Sequence, residues 1–157
     1  MQEDPRRGMF VKHEQDRFAA DRGLGITALR YKVAGADTDG RLFVIEQTML
    51  AKGGPPRHIH LAQDEWFFPL EGDFIAEVGD ERYQLGPGDS LLAPQSNPHV
   101  WAYVGDQVGR ILIAFSPAGS MEAFFEAIAK TSAMPTQDPQ LWLDHGMKVV
   151  GPPLEVR

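Results

Sequence analysis

The chain has 157 residues, of which 43% are hydrophobic and 24% charged, and this length suits one domain. Acidic residues outnumber basic ones by 22 to 15, giving a net charge of −7, so we expect no binding to nucleic acid or to an anionic membrane surface. The absence of cysteine excludes disulfides and thiolate chemistry. No apolar run approaches the ~20 residues that cross a bilayer, and residues 1–7 do not resemble a signal peptide, so we expect a cytoplasmic protein.

The first part of the chain divides into an arm and a strand-rich region. Residues 1–24 are mostly polar and are predicted to form an N-terminal arm that packs on the domain or on a partner subunit. Residues 25–117 contain short apolar segments separated by Gly- and Pro-rich turns, which is typical of a sandwich or barrel of antiparallel strands. The predicted strands cover residues 26–33, 42–50, 65–70, 74–78, 82–85, 90–93, 99–104 and 110–115.

Residues 118–157 are predicted to form a helical extension. Ser120 can cap a helix whose apolar residues recur at helical spacing, namely Met121, Phe124, Phe125 and Ile128. Asp138 followed by Pro139 predicts the start of a second, short helix over residues 140–145. We expect the two helices to cover one open edge or mouth of the β-domain.

Three histidines and one glutamate form the pattern that carries chemistry. His58 and His60 are two residues apart, so on an extended segment both imidazoles point to one face. Glu65 follows them, and strand alternation sends the competing carboxylate of Asp64 to the other face. With His99 as a third imidazole, this set suits one divalent transition metal per chain, and the choice between Fe, Mn, Ni, Co, Cu and Zn stays open.

The spacing of these residues resembles the two motifs of the cupins. His58-x-His60, four residues, Glu65, six residues and Gly72 match the first motif, although its leading glycine is displaced to Gly53. In the second motif Gly88, Pro94 and His99 match, while Ser96 stands where the motif has its inner glycine and Tyr103 where it has asparagine. The resemblance implies an all-β cupin fold, a double-stranded β-helix or jelly-roll barrel, with one or two C-terminal helices.

A narrower resemblance points to the quercetinase-like bacterial cupins. It rests on Gly-Pro-Pro-x-His-x-His at residues 54–60, the aromatic run 66–68, the segment 115–119 and the tail 146–153. It implies a metal-dependent dioxygenase that acts on an aromatic or phenolic, flavonol-like molecule with dioxygen, with Glu65 as both ligand and base. One alternative is a non-redox metal-bound cupin, which would be an isomerase, a cyclase or a small-molecule-binding protein. Another is a sensor or structural cupin whose metal is vestigial. The resemblance to small cupins, which commonly pack or exchange N-terminal strands, also implies a homodimer.

Five aromatic residues are candidates for the wall of a substrate pocket, with core packing as the alternative for each. Phe67 shares the strand face of Glu65, whereas Trp101 and Tyr103 share that of His99, and side chains on one face point into the same barrel. Phe74 and Phe115 complete the candidate set.

Overall fold

The described residues form two antiparallel β-sheets in the computed structural model, which describes residues 7–131 and 138–157. The strands are β1 (Arg22–Leu24), β2 (Thr27–Val33), β3 (Phe43–Met49), β4 (Arg57–His60), β5 (Asp64–Glu71), β6 (Phe74–Val78), β7 (Glu81–Leu85), β8 (Leu91–Ala93), β9 (His99–Tyr103), β10 (Gly109–Ser116) and β11 (Met147–Gly151). One sheet has six strands in the order β1-β2-β3-β10-β5-β8, and the other has five in the order β11-β4-β9-β6-β7. The predicted all-β barrel fold is confirmed.

The core lies between the two sheets and follows from the alternation of apolar residues. Along β10, every second residue from Gly109 to Phe115 is buried while the residues between them are partly exposed. The partner strand β3 buries Phe43 and Ile45 on the same side. The rings of Phe43 and Phe115 stack with centroids 5.9 Å apart. Because side chains alternate between the faces of a strand, this period of two directs one apolar row into the interior.

The helices are α1 (Met121–Thr131) and α2 (Pro139–Asp144), and a short 3-10 helix covers Gly35–Thr38. The carboxylate of Asp138 accepts hydrogen bonds from the backbone N–H groups of Gln140 and Leu141, which caps α2 as predicted. Phe124 of α1 and Trp142 of α2 are both buried, and their rings lie 4.9 Å apart. Neither helix is long and apolar enough to span a membrane within the part of the chain that the structure describes.

Strands also occur outside the predicted barrel region. β1 lies in the predicted arm and pairs antiparallel with β2, so the six-stranded sheet begins before residue 25. β11 lies in the predicted helical extension and pairs with β4, the strand that carries His58 and His60. Residues 1–6 of the arm lie outside the described residues. The division into arm, barrel and extension stays a prediction, with these two strands added to its outer parts.

Candidate metal centre

Three neighbouring elements bring the predicted ligands together. His58 and His60 lie on β4, and His99 is the first residue of the neighbouring strand β9, where it pairs with His58. Glu65 lies near the start of β5, which belongs to the six-stranded sheet. All four residues are at least 96% buried, because their exposed fractions are 4, 1, 3 and 2%. One potential donor atom from each lies within 4.8 Å of the others. The group could therefore hold a single metal ion.

The loop that contains Gly53 and Gly54 determines where β4 begins relative to β9. Gly53 exchanges two backbone hydrogen bonds with Tyr103, at 3.1 and 2.9 Å. A Cβ atom at Gly54 would overlap the backbone carbonyl oxygen of Trp101, so this position requires glycine. The close approach of the loop to β9 sets β4 beside β9 and places His58 against His99.

The outer nitrogen of each imidazole has an acceptor. His58 Nδ1 lies 2.7 Å from the carbonyl oxygen of Pro56, and His99 Nδ1 lies 3.1 Å from that of Asn97. His60 Nδ1 lies 3.1 Å from Oε1 of Gln63. Since these oxygens can only accept, each Nδ1 carries the proton and each Nε2 presents a lone pair to the centre of the group. This tautomer is the one that a metal-binding histidine needs.

The inner nitrogens crowd one carboxylate oxygen. Oε2 of Glu65 lies 2.6 Å from Nε2 of His99, 2.9 Å from Nε2 of His60 and 3.9 Å from Nε2 of His58. Two donors bound at right angles to one ion, each about 2.1 Å from it, are about 3 Å apart. Lone pairs at such distances repel unless a cation lies between them, and Nε2 of His60 is buried without a hydrogen-bond partner. The residues present fit a divalent metal ion.

Burial and mutual charge set the protonation of the group. Burial, with a further contribution from His99, lowers the pKa of His58 to about 3, so this imidazole is neutral near pH 7. Burial alone would raise the pKa of Glu65, but the imidazoles of His60 and His99 outweigh it and hold that pKa well below its usual range. Burial would likewise lower the pKa of His60, yet the carboxylate of Glu65 outweighs it and raises that pKa. A neutral His58 and an ionised Glu65 are the forms that ligate a metal.

A cavity adjoins the inner face of the group and has a volume of about 40 Å³. His58, His60 and Glu65 lie in its wall, together with two of the predicted pocket residues, Trp101 and Phe115. The helices add apolar side chains to the same wall, namely Met121, Phe124, Phe125 and Trp142. The ring of Trp142 lies 4.9 Å from that of His58, so α2 reaches the metal group itself.

The other predicted pocket residues lie behind this wall. Phe67 packs against His99 and Trp101, with ring centroids 6.1 and 6.2 Å away. Phe74 packs between Trp101 and Tyr103. The hydroxyl of Tyr103 donates to the backbone carbonyl oxygen of Gln107, at the turn between β9 and β10. These three residues support the wall from the core, and their direct contact with a ligand stays a prediction.

Several residues of the site escaped the sequence interpretation. The helical spacing predicted that Met121, Phe124 and Phe125 face inward, but it gave them no role beside the metal group. Gln63, which orients His60, follows it by three residues in a short turn and has no motif of its own. Gln47, Met147 and Trp142 also lie in the cavity wall, and no local pattern in the sequence distinguishes them. By contrast, Asp64 is exposed, as its strand face predicted, and its carboxylate accepts a hydrogen bond from the backbone N–H of Gln95.

Comparison with known proteins supports the fold and the family. Residues 45–115 match the family model described as a cupin domain. KdgF from Halomonas sp. is 20% identical, with a TM-score of 0.59 over 71% of this chain and 94% of that one. An RmlC-like cupin from Shewanella frigidimarina is 22% identical, with a TM-score of 0.59 over 75% of this chain and 96% of that one. At these identities the two structures show a shared fold.

One relative found by sequence comparison is named as an oxidoreductase. An oxidoreductase from Arthrobotrys oligospora is 29% identical over an alignment of 87 residues that covers 49% of this chain. The match covers 34% of that protein, so the chain spans about a third of the relative's length. The predicted resemblance to the cupins is confirmed for residues 45–115, which match a cupin domain, whereas the resemblance to quercetinase-like cupins stays a prediction.

Proposed function

We propose that this cupin is a metal-dependent oxidoreductase, specifically a dioxygenase, that acts on a small aromatic or phenolic molecule. The observation that carries the proposal is that the candidate metal ligands line an apolar cavity. A buried group of three imidazoles and one carboxylate faces a cavity whose other walls are mainly aromatic and aliphatic. Such walls hold a ring by apolar contact, while the metal group holds an oxygen attached to it.

The charge of the site favours a phenolate. Three neutral imidazoles, one carboxylate and a divalent ion sum to a single positive charge, which matches one anionic oxygen. Among the described residues, no lysine or arginine lines the cavity. The cations nearest in sequence are occupied elsewhere: Lys52 pairs with Asp106 at 3.1 Å, and Arg57 pairs with Glu77. A phosphate group would therefore lack a partner.

The size of the cavity favours a single ring over a flavonol. A volume of about 40 Å³ is room for about three water molecules. A ring must therefore displace part of the wall. Met121 and Met147 lie in that wall, and unbranched methionine side chains adapt to a ligand more readily than aromatic ones. Monocyclic phenols require the smaller displacement.

A bound transition metal would polarise a ligating hydroxyl and bring dioxygen beside the activated ring. The chain's own residues supply the rest of the chemistry. Glu65 places a carboxylate within the group, where it can accept the proton that the phenol loses on binding. The aromatic walls exclude bulk water from the reacting ring. In a dioxygenase both oxygen atoms of O₂ enter the product, and the substrate supplies the electrons.

The test begins with the metal content of the natively expressed protein, followed by oxygen-uptake measurements of that metal form with monocyclic phenols. We expect about one metal per chain and oxygen consumption that matches product formed. Glu65→Gln should retain part of the metal and lose at least about 10²-fold in turnover per bound metal, as removal of a positioned base does. Asp64→Asn is the matched control, because this neighbouring carboxylate is exposed and points away from the group.

Two results would contradict the proposal in different ways. Full metal occupancy with phenol binding but no oxygen uptake would identify a non-redox binding protein, isomerase or cyclase. Equal turnover per bound metal in Glu65→Gln and the parent would remove the base role of Glu65 and leave it a ligand only.

A further inference from the structure

A glutamine interrupts the apolar interior row of β3. The inward side chains of this strand alternate as Phe43, Ile45, Gln47 and Met49, and all four are buried. Gln47 is 5% exposed and lies in the wall of the cavity. β3 belongs to the six-stranded sheet, whereas all three metal-site histidines belong to the five-stranded sheet. Gln47 therefore lies in the cavity wall on the sheet facing the histidines.

The side chain of Gln47 takes part in none of the hydrogen bonds among the described residues. An amide in a largely apolar wall normally finds partners, because leaving its donors and acceptor unpaired is costly. An apolar residue would serve packing better at this position, as Ile45 and Met49 do on the same face. The indole N–H of Trp142 lies in the same wall, where it is fully buried and has no hydrogen-bond partner among the described residues.

We propose that Gln47 recognises a second oxygen of the ligand, while the first oxygen binds at the metal group. This inference rests on the proposed function and narrows its substrate class to aromatic molecules with two separated oxygen functions, such as ring diols. The amide can donate to or accept from that oxygen. A site built to hydrogen-bond a substrate group rejects the analogue that lacks it, because the buried partner is then left unpaired.

The experiment uses the metal-loaded protein and three probes: phenol, resorcinol and hydroquinone. The second hydroxyl of the two diols cannot reach the metal together with the first, which separates recognition from chelation. The variants are Gln47→Leu, which keeps the approximate size and removes the amide, and Met49→Leu, a matched control on the same face of β3 outside the cavity wall. Metal content, Tm and binding constants are measured for each protein.

We expect at least one diol to bind the parent and Met49→Leu about tenfold or more tighter than phenol. In Gln47→Leu this preference should fall below about threefold, while phenol binding and metal content remain at the parent level. The Tm of Gln47→Leu should equal or exceed that of the parent, because the amide contributes no hydrogen bond to the fold.

Each other outcome counts against the inference. A Tm for Gln47→Leu that falls further than that of Met49→Leu would make the amide structural. Equal binding of diols and phenol by the parent, or an unchanged preference in Gln47→Leu, would overturn the recognition role and leave the proposed function intact. If none of the three phenols binds, the proposed function is contradicted and the inference falls with it.

Discussion

Nδ1 of His60 lies 3.1 Å from Oε1 of Gln63, and the amide nitrogen of Gln63 donates to the carbonyl oxygens of Pro117 and Ala118 at 2.8 and 2.7 Å. The amide of Gln63 thereby links the imidazole of His60 to the segment between β10 and α1. With its nitrogen committed to two carbonyl groups, Gln63 can present only its oxygen to the ring. The orientation and tautomer of a buried ligand thus depend on a residue that touches no metal.

The first prediction concerns this bond. Gln63→Leu should lower metal affinity by about 10–100-fold, because removing the partner of a ligating histidine frees its ring and its tautomer. Titration against a competing chelator measures the affinity. Gln84→Leu is the control, since Gln84 is an exposed glutamine on β7. Equal affinities in the two variants would show that the carbonyl contacts of Gln63 serve only the chain fold.

The second prediction concerns Ser96, which occupies the inner-glycine position of the second motif. Its φ of 66° is in the left-handed region, which disfavours residues with a side chain. Its backbone N–H donates to the carbonyl oxygen of His60 at 2.8 Å, so the turn is tied to the metal group. Ser96→Gly should raise the free energy of unfolding by about 0.5–1 kcal/mol, the strain relieved being partly offset by the flexibility of unfolded glycine.

Denaturant unfolding of the parent and two variants measures this effect. Gln95→Gly is the matched control: Gln95 is exposed, adjacent and not among the residues with positive φ, so glycine there should cost about 0.5–1 kcal/mol. Destabilisation of both variants by similar amounts would show that Ser96 is not strained.

Local patterns explain why much of the fold was predictable. The strands β2, β3, β5, β6 and β10 bury every second side chain, at least in part, and this period is visible in the sequence. The metal group was predictable because His58 and His60 are two residues apart on one strand, β4, and Glu65 follows on the next strand, β5. β11 was missed because its residues, Met147–Gly151, follow a helix and bury few side chains.

The residues that the sequence did not reveal act across long separations. Gln47 shares a cavity wall with the metal group only because β3 and β4 belong to different sheets that enclose one interior, and Trp142 contacts His58 only because α2 packs against the cavity. Neither relationship leaves a periodic signal. Tyr103 illustrates the converse: strand spacing puts it on the face of His99, whereas the hydrogen bond from its hydroxyl to the carbonyl oxygen of Gln107 depends on the turn after β9.

The third prediction is the homodimer expected from the sequence. The arm exposes apolar surface, because Phe10 is 88% and Phe18 53% exposed, and a partner copy could cover it. Static light scattering should give about twice 17.4 kDa at micromolar concentration. Phe10→Ser should weaken the dimer, whereas Leu92→Ser, which changes a residue 53% exposed on β8, should not. A stable monomer of the parent would contradict the prediction.

The last prediction concerns how the contribution of Asp16, in the N-terminal arm, to the stability of the fold depends on pH. The carboxylate of Asp16 accepts hydrogen bonds from Nε of Arg22 and the backbone N–H of Tyr31, both at 2.8 Å. Burial alone would raise the pKa of Asp16, but these and further backbone hydrogen bonds outweigh it and lower that pKa from its usual 3.8. A lowered pKa stabilises the folded protein fully above the unfolded value, and that stability is lost as the pH falls through the folded pKa.

Asp16→Asn should therefore lower the free energy of unfolding by about 2 kcal/mol near pH 7. The difference between parent and variant should stay constant down to about pH 5 and shrink below pH 3.8, as the parent's carboxylate becomes protonated. Denaturant unfolding at several pH values measures both proteins, and taking their difference cancels the titration of Glu65 and of the other carboxylates. Asp80→Asn, at an exposed turn between β6 and β7, should show no such dependence. A parent-minus-variant difference that grows as the pH falls would mean that the ionised Asp16 destabilises the arm.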